Sequence, residues 1–184
     1  MKAKTPAIIT TTAIILGATN AHANLLFDLY TGATYGIGGH TIFSDHHHTS
    51  ASSNTYGAVL GIDIPLLRFE IEYNRLDTKT LEMNLGMTNA YFKFPTPIAK
   101  PYLGAGFGIA FNSKYNNGTN NTHTKIPDKL TYQAMVGLTL DLAILPFDID
   151  IEGRILYAPD IFKTYDTDTN LLQYDGRIKL RYIF

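Results

Sequence analysis

Three carboxylates, Asp148, Asp150 and Glu152, occupy alternate positions of one stretch, and Arg154 follows at the same spacing. Near the end of the chain Asp175, Arg177, Lys179 and Arg181 alternate in the same way. On an extended strand such residues share a face, with neighbouring carboxylates about 7 Å apart. A water held between two of them is one arrangement for acid and base chemistry, or for an ion path. The numbering carries a second arrangement. Asp148 with Arg181, Asp150 with Lys179, Glu152 with Arg177 and Arg154 with Asp175 each add to 329. Antiparallel partners keep a constant sum, so this register sets opposite charges across from each other four times. Asp63 and Arg68, flanking Pro65, give a fifth pair by the same logic. With every acid partnered, the pattern predicts a structural charge ladder and assigns no catalytic residue.

His40, Asp45, His46, His47 and His48 are the other residues that could do chemistry, because imidazole ligates zinc, copper and nickel. Adjacent histidines among Ser, Thr and Asn lack defined ligand spacing, and the stretch reads as a polar loop. No metal and no cofactor is predicted. Asn117-Gly118-Thr119 and Asn120-Asn121-Thr122 match glycosylation sequons and are read as an Asn-rich loop. Nothing in the sequence has the form of a phosphate loop, a thiol pair or a nucleophile elbow.

The elements that must position the charges are strands. Eight runs alternate apolar and polar residues: 27–37, 55–64, 68–74, 81–94, 102–112, 130–142, 147–157 and 171–184. The last puts Gly176, Ile178, Leu180, Tyr182 and Phe184 on one face and its charges on the other. In 102–112 the face opposite Leu103, Phe107 and Ile109 carries Gly104, Gly106 and Gly108, which leaves room for bulky neighbours. Run 81–94 changes parity, with Met83, Leu85 and Met87 on one face and Phe92 and Phe94 on the other, and a bulge near Asn89 is expected to reconcile them. Short turns at Pro65, at 95–101 and at Pro146 alternate with longer polar connections at 38–54, 75–80, 113–129 and 158–170.

Lys2 and Lys4, an apolar run over 7–18 and Ala21-His22-Ala23 read as a secretory signal cleaved after Ala23. Cleavage leaves one domain of 161 residues, 24–184, with 13 Lys and Arg against 16 Asp and Glu, a net charge of -3 that argues against nucleic acid as a partner. The chain has no cysteine, so stability rests on hydrogen bonding and packing. On the apolar faces Phe69, Phe147, Tyr182 and Phe184 fall near the short turns, whereas Tyr35, Tyr56, Tyr73, Tyr132, Tyr157 and Tyr174 fall near the long connections. Two rings of aromatics suit the two interfaces of a membrane better than the core of a soluble barrel or sandwich.

These features resemble the small eight-stranded outer-membrane barrels of the opacity-protein and OmpA-transmembrane-domain kind. The likeness covers 24–184 and is carried by Lys100-Pro101-Tyr102-Leu103-Gly104-Ala105-Gly106-Phe107-Gly108 and by the terminal Tyr182-Ile183-Phe184. It implies an all-β, closed, antiparallel up-and-down transmembrane barrel in the outer membrane of a Gram-negative bacterium. It also implies that Gly176, Tyr182 and Phe184 form a C-terminal signal for the barrel-assembly machinery. The peptidoglycan-binding function of longer relatives is not carried over. His48-Thr49-Ser50 is similar to the His-x-Ser motif of lipid A deacylase barrels, which place it late in the barrel facing lipid, whereas here it lies in the first long connection. The expected function is that of a non-enzymatic surface barrel, structural, adhesin or surface antigen, embedded in outer-membrane lipid and displaying four mobile extracellular loops to a host or extracellular ligand. A lipid-modifying enzyme and a narrow pore are the alternatives.

Overall fold

A computed structural model describes residues 27–44, 47–78, 81–97, 99–117, 122–142, 145–164 and 167–184. The proposed signal segment lies outside the described residues. Among those described, nine strand segments run antiparallel: β1 (Asp28–Ser44), β2 (His47–Asp63), β3 (Leu67–Asp77), β4 (Leu81–Lys93), β5 (Ala99–Asn117), β6 (Thr122–Ile126), β7 (Lys129–Asp141), β8 (Phe147–Thr164) and β9 (Thr167–Ile183). β6 and β7 form one barrel strand, interrupted at Pro127 and Asp128. Each strand pairs with the next, and β9 returns to β1 from Tyr30 opposite Ile183 to Phe43 opposite Asn170. The result is a closed eight-stranded up-and-down barrel with no free edge around its wall.

The period-2 pattern decides which side chains face where. Leu29, Tyr35, Ile37, Leu60, Phe69, Ile71, Phe107, Val136, Ile151 and Ile178 are exposed on the outside, while Arg68, Glu70, Glu72, Asp150, Glu152, Arg154, Arg177, Lys179 and Arg181 are buried inside. This inverts a soluble protein, and water cannot be the solvent of such an exterior. From Phe27 to Ile37 the outward row covers ten rises, about 33 Å along the strand and about 25 Å at a tilt near 40°, the height of a barrel's lipid belt.

Two expectations are corrected. There is no bulge at Asn89, which stays in register with Glu70 on β3 and Gly106 on β5. β4 alternates without interruption, and Leu81, Met83, Leu85 and Met87 point into the barrel. There they join Leu76, Ala110, Leu156, Ala158 and Leu171 in an apolar layer near the long-hairpin end. The register slip lies instead between Glu82 and Asn84, opposite β5, where Asn112 takes a left-handed φ of 49°. Second, the connections 38–54, 113–129 and 158–170 are not simply loops. β1 and β2 stay paired to Ser44 opposite His47, β5 and β6 from Ser113 opposite Ile126, and β8 and β9 to Thr164 opposite Thr167. Ser, Thr and Asn on both faces hide the alternation, because beyond the lipid both faces of a strand can meet water. β2, β1, β9 and β8 thus continue as one four-stranded sheet past the hairpin of β3 and β4.

Candidate functional site

The charged interior is the candidate site, and the barrel wall positions it by simple alternation. β8 supplies Asp148, Asp150, Glu152 and Arg154, β9 supplies Asp175, Arg177, Lys179 and Arg181, β3 supplies Arg68, Glu70 and Glu72, β2 supplies Asp63 and β4 supplies Lys93. In the backbone register Asp148 faces Arg181, Asp150 faces Lys179, Glu152 faces Arg177 and Arg154 faces Asp175. Three of these four register pairs are also ion pairs: Asp148 with Arg181 at 2.9 Å, Arg154 with Asp175 at 2.5 Å, and Glu152 with Arg177.

The fourth pair is not made, and this corrects the simple ladder. Asp150 accepts from Arg181 at 3.0 and 3.2 Å, from Arg68 at 2.9 Å and from Thr139 at 2.7 Å. Lys179 donates to both oxygens of Glu70, at 2.8 and 2.9 Å. Asp63 and Arg68 are opposite in the backbone yet do not pair, since Asp63 meets Lys93 and, at 3.3 Å, Arg181, whereas Arg68 reaches Asp150. Closure of the barrel explains both departures. It brings β3 across the lumen from β8 and β9, and long side chains bridge the gap.

Sequence reasoning missed Glu70 and Glu72, which anchor this crossing. Arg177 is held between Glu72 and Glu152, and Glu72 also accepts from Asn74 at 2.5 Å, Asn89 at 2.6 Å and Gln133 at 3.2 Å. Their shared parity with Arg68 on β3 was the available signal. Three tyrosines complete the network: Tyr30 and Tyr91 donate to Glu70 at 2.8 and 2.9 Å, and Tyr102 to Glu152 at 2.9 Å. The Arg68 guanidinium lies over the Tyr91 and Tyr102 rings, 4.2 and 4.5 Å from their centroids. Each tyrosine faces a glycine on the next strand, Tyr30 Gly61, Tyr91 Gly104 and Tyr102 Gly137, and a Cβ at any of those glycines would collide with the ring. Gly104 of the β5 glycine row and Gly137 on β7 thus admit the two rings that enclose Arg68.

Chemically the site compensates charge and fills space. Arg68, Asp150, Lys179 and Arg181 are each 0% exposed. Taking such charges out of water is tolerable only because they are paired and hydrogen-bonded. Among the described residues no three His, Asp or Glu side chains are grouped to hold a metal ion. Asp45, His46 and the side chains of His47 and His48 lie outside those described. Gly176, Tyr182 and Phe184 face outward, with Tyr182 edge-on to both Phe147 and Phe184 at 5.2 Å, and the Phe184 amide donates to the Leu29 carbonyl at 2.9 Å.

The crystal structure of Neisserial surface protein A (NspA) matches with a TM-score of 0.63 at 20% identity, over 85% of this chain and 97% of that one. The fold is that of the small outer-membrane barrels. The N-terminal β-barrel domain of Pseudomonas aeruginosa OprF matches with a TM-score of 0.53 at 13% identity, over 82% and 97% of the two chains. At these identities the likeness concerns the barrel itself. No family model and no curated relative matches the sequence.

Proposed function

We propose that the protein is a non-enzymatic, non-conducting barrel of the Gram-negative outer membrane that holds polar β-ribbons above the cell surface, as a structural element, adhesin or surface antigen. The observation that carries this reading is the division of labour along β1, β2, β8 and β9. Their short-turn halves enclose a lumen filled by paired charges, and their other halves continue as a four-stranded sheet beyond the outward apolar belt. A filled lumen suits an anchor, and an extended sheet suits display. Neisserial surface protein A, a surface protein by name, supports the reading at the level of fold.

A single-cysteine variant tests it, since the chain has no cysteine of its own. Ser52→Cys, at an exposed position of β2, should react with a membrane-impermeant maleimide on intact cells, and the protein should fractionate with the outer membrane. Labelling only after the envelope is broken would invert the topology, and recovery in the soluble periplasm would sink the reading. Large stable conductance steps in planar bilayers would show that the lumen is a pore.

A further inference from the structure

We propose that the notch at the β4–β5 bulge binds the phosphate of an anionic lipid headgroup in the outer leaflet. The notch has a volume of about 250 Å³ and is lined by Arg75, Glu82, Met83, Asn84, Asn112 and Lys114. It opens where the register slips between Glu82 and Asn84 and where Asn112 adopts its left-handed backbone, so the wall is parted here by a built irregularity. Bulges of this kind re-aim side chains beside functional sites.

Height identifies the ligand. Arg75 follows Phe69, Ile71 and Tyr73 on the outward row of β3, and the Tyr73 hydroxyl donates to Asn84 of the notch at 2.9 Å. Outward tyrosines mark the level of headgroups. Phe111, one turn of the pleat below Asn112, packs its ring 6.3 Å from Tyr73 and continues the apolar wall beneath. A lipid with its chains on that wall brings its phosphate to Arg75 and Lys114, which is why a membrane lipid fits better than a free anion.

The charges agree. Arg75 pairs with Glu82 at 2.9 Å, but both side chains are more than a third exposed, and such pairs are weak. Arg75 spends an Nη2 bond on Glu82, and its partly exposed guanidinium fork has further N–H groups to offer a phosphate oxygen. Lys114 stands opposite Glu82 across the β4–β5 pairing and lines the same notch. The lining holds two cations, Arg75 and Lys114, against Glu82, the competitor of an incoming phosphate, with Asp77 opposite Glu82 at the rim.

The inference rests on the outer-membrane reading for its leaflet, and the two fail separately, because fractionation reports location whereas the following experiment reports lipid choice. Folded barrel is taken from phosphatidylcholine vesicles containing one-tenth phosphatidic acid, and the retained lipid is measured by native mass spectrometry. The wild type should retain phosphatidic acid selectively. Arg75→Ala with Lys114→Ala should lose about fivefold in selectivity for each cation removed while keeping the compact band of a folded barrel on an unheated gel. Glu82→Gln, which removes the competitor, should retain more than wild type, and that gain cannot come from misfolding. Inorganic phosphate at millimolar concentration should not displace the lipid. Equal retention by all three proteins, reduced retention by Glu82→Gln, or full displacement by free phosphate would overturn the proposal.

Discussion

Asp150→Ala should destabilise the barrel more than Arg68→Met, because the two charges have unequal alternatives. Arg68 has Asp150 as its carboxylate partner among the described residues, its Nε and Nη2 are already unpartnered, and it is 0% exposed. Removing Asp150 strands that guanidinium between two tyrosine rings, a loss of about 3–5 kcal/mol for an uncompensated buried charge. Arg181 does not share the penalty, since it keeps Asp148 and Asp63. Removing Arg68 instead leaves Asp150 bonded to Arg181 and Thr139, so the cost is one charge-assisted hydrogen bond and the ring contacts, about 2 kcal/mol. Once Arg68 is gone, Asp150→Ala should cost less, and the double mutant should fall short of additivity by about 1–3 kcal/mol. The chain has no tryptophan, so urea unfolding in lipid vesicles is best followed by far-ultraviolet circular dichroism and by the unheated gel shift. Additive losses, or an Arg68→Met loss as large as that of Asp150→Ala, would refute the cross-lumen assignment.

Glu152→Ala should cost only about 1–3 kcal/mol by the same measurement, since Arg177 retains Glu72 while Tyr102 loses its acceptor. Gly104→Ala should cost about 1–3 kcal/mol, because its Cβ drives into the Tyr91 ring and disturbs the Arg68 stack, whereas Gly176→Ala, with open space at its Cβ, should stay within about 0.5 kcal/mol. Deleting Phe184 should lower insertion in cells, measured as the folded fraction in outer-membrane preparations, while normal levels would show that the terminal aromatic is not needed.

The faces of most strands were legible because lipid outside and a packed lumen inside impose period 2 on every spanning strand. The register of the last hairpin was legible for a stricter reason: only one alignment opposes every acid to a base, and Asp148, Asp150, Glu152 and Arg154 do stand across from Arg181, Lys179, Arg177 and Asp175. What could not be read was contact across the lumen. A constant-sum rule knows neighbouring strands only, whereas Lys179 on β9 reaches Glu70 on β3, three strands away around the wall with β1 and β2 between them. The full length of β1, β2, β8 and β9 was hidden for a different reason. Above the lipid neither face needs to be apolar, so polar strand and polar loop have the same composition there.

β4 shows why hydrophobic parity alone misassigns a barrel wall. Its inward row runs Leu81, Met83, Leu85, Met87, Asn89, Tyr91 and Lys93, changing from aliphatic to polar within one strand. Above Met87 the row joins Leu76, Ala110, Leu156, Ala158 and Leu171 in one apolar cluster, and the side chains opposite members of that cluster, Thr55, Asn74 and Gln173, are polar but uncharged. Below it, Glu70 and Glu72 require donors, and Asn89 and Tyr91 supply them. Thr131 donates to the Met87 sulfur at 3.2 Å where the two layers meet. The parity change at residues 87–92 is therefore no interruption of the strand. It records the depth at which the lumen passes from an apolar cluster flanked by neutral polar side chains to a compensated charge network.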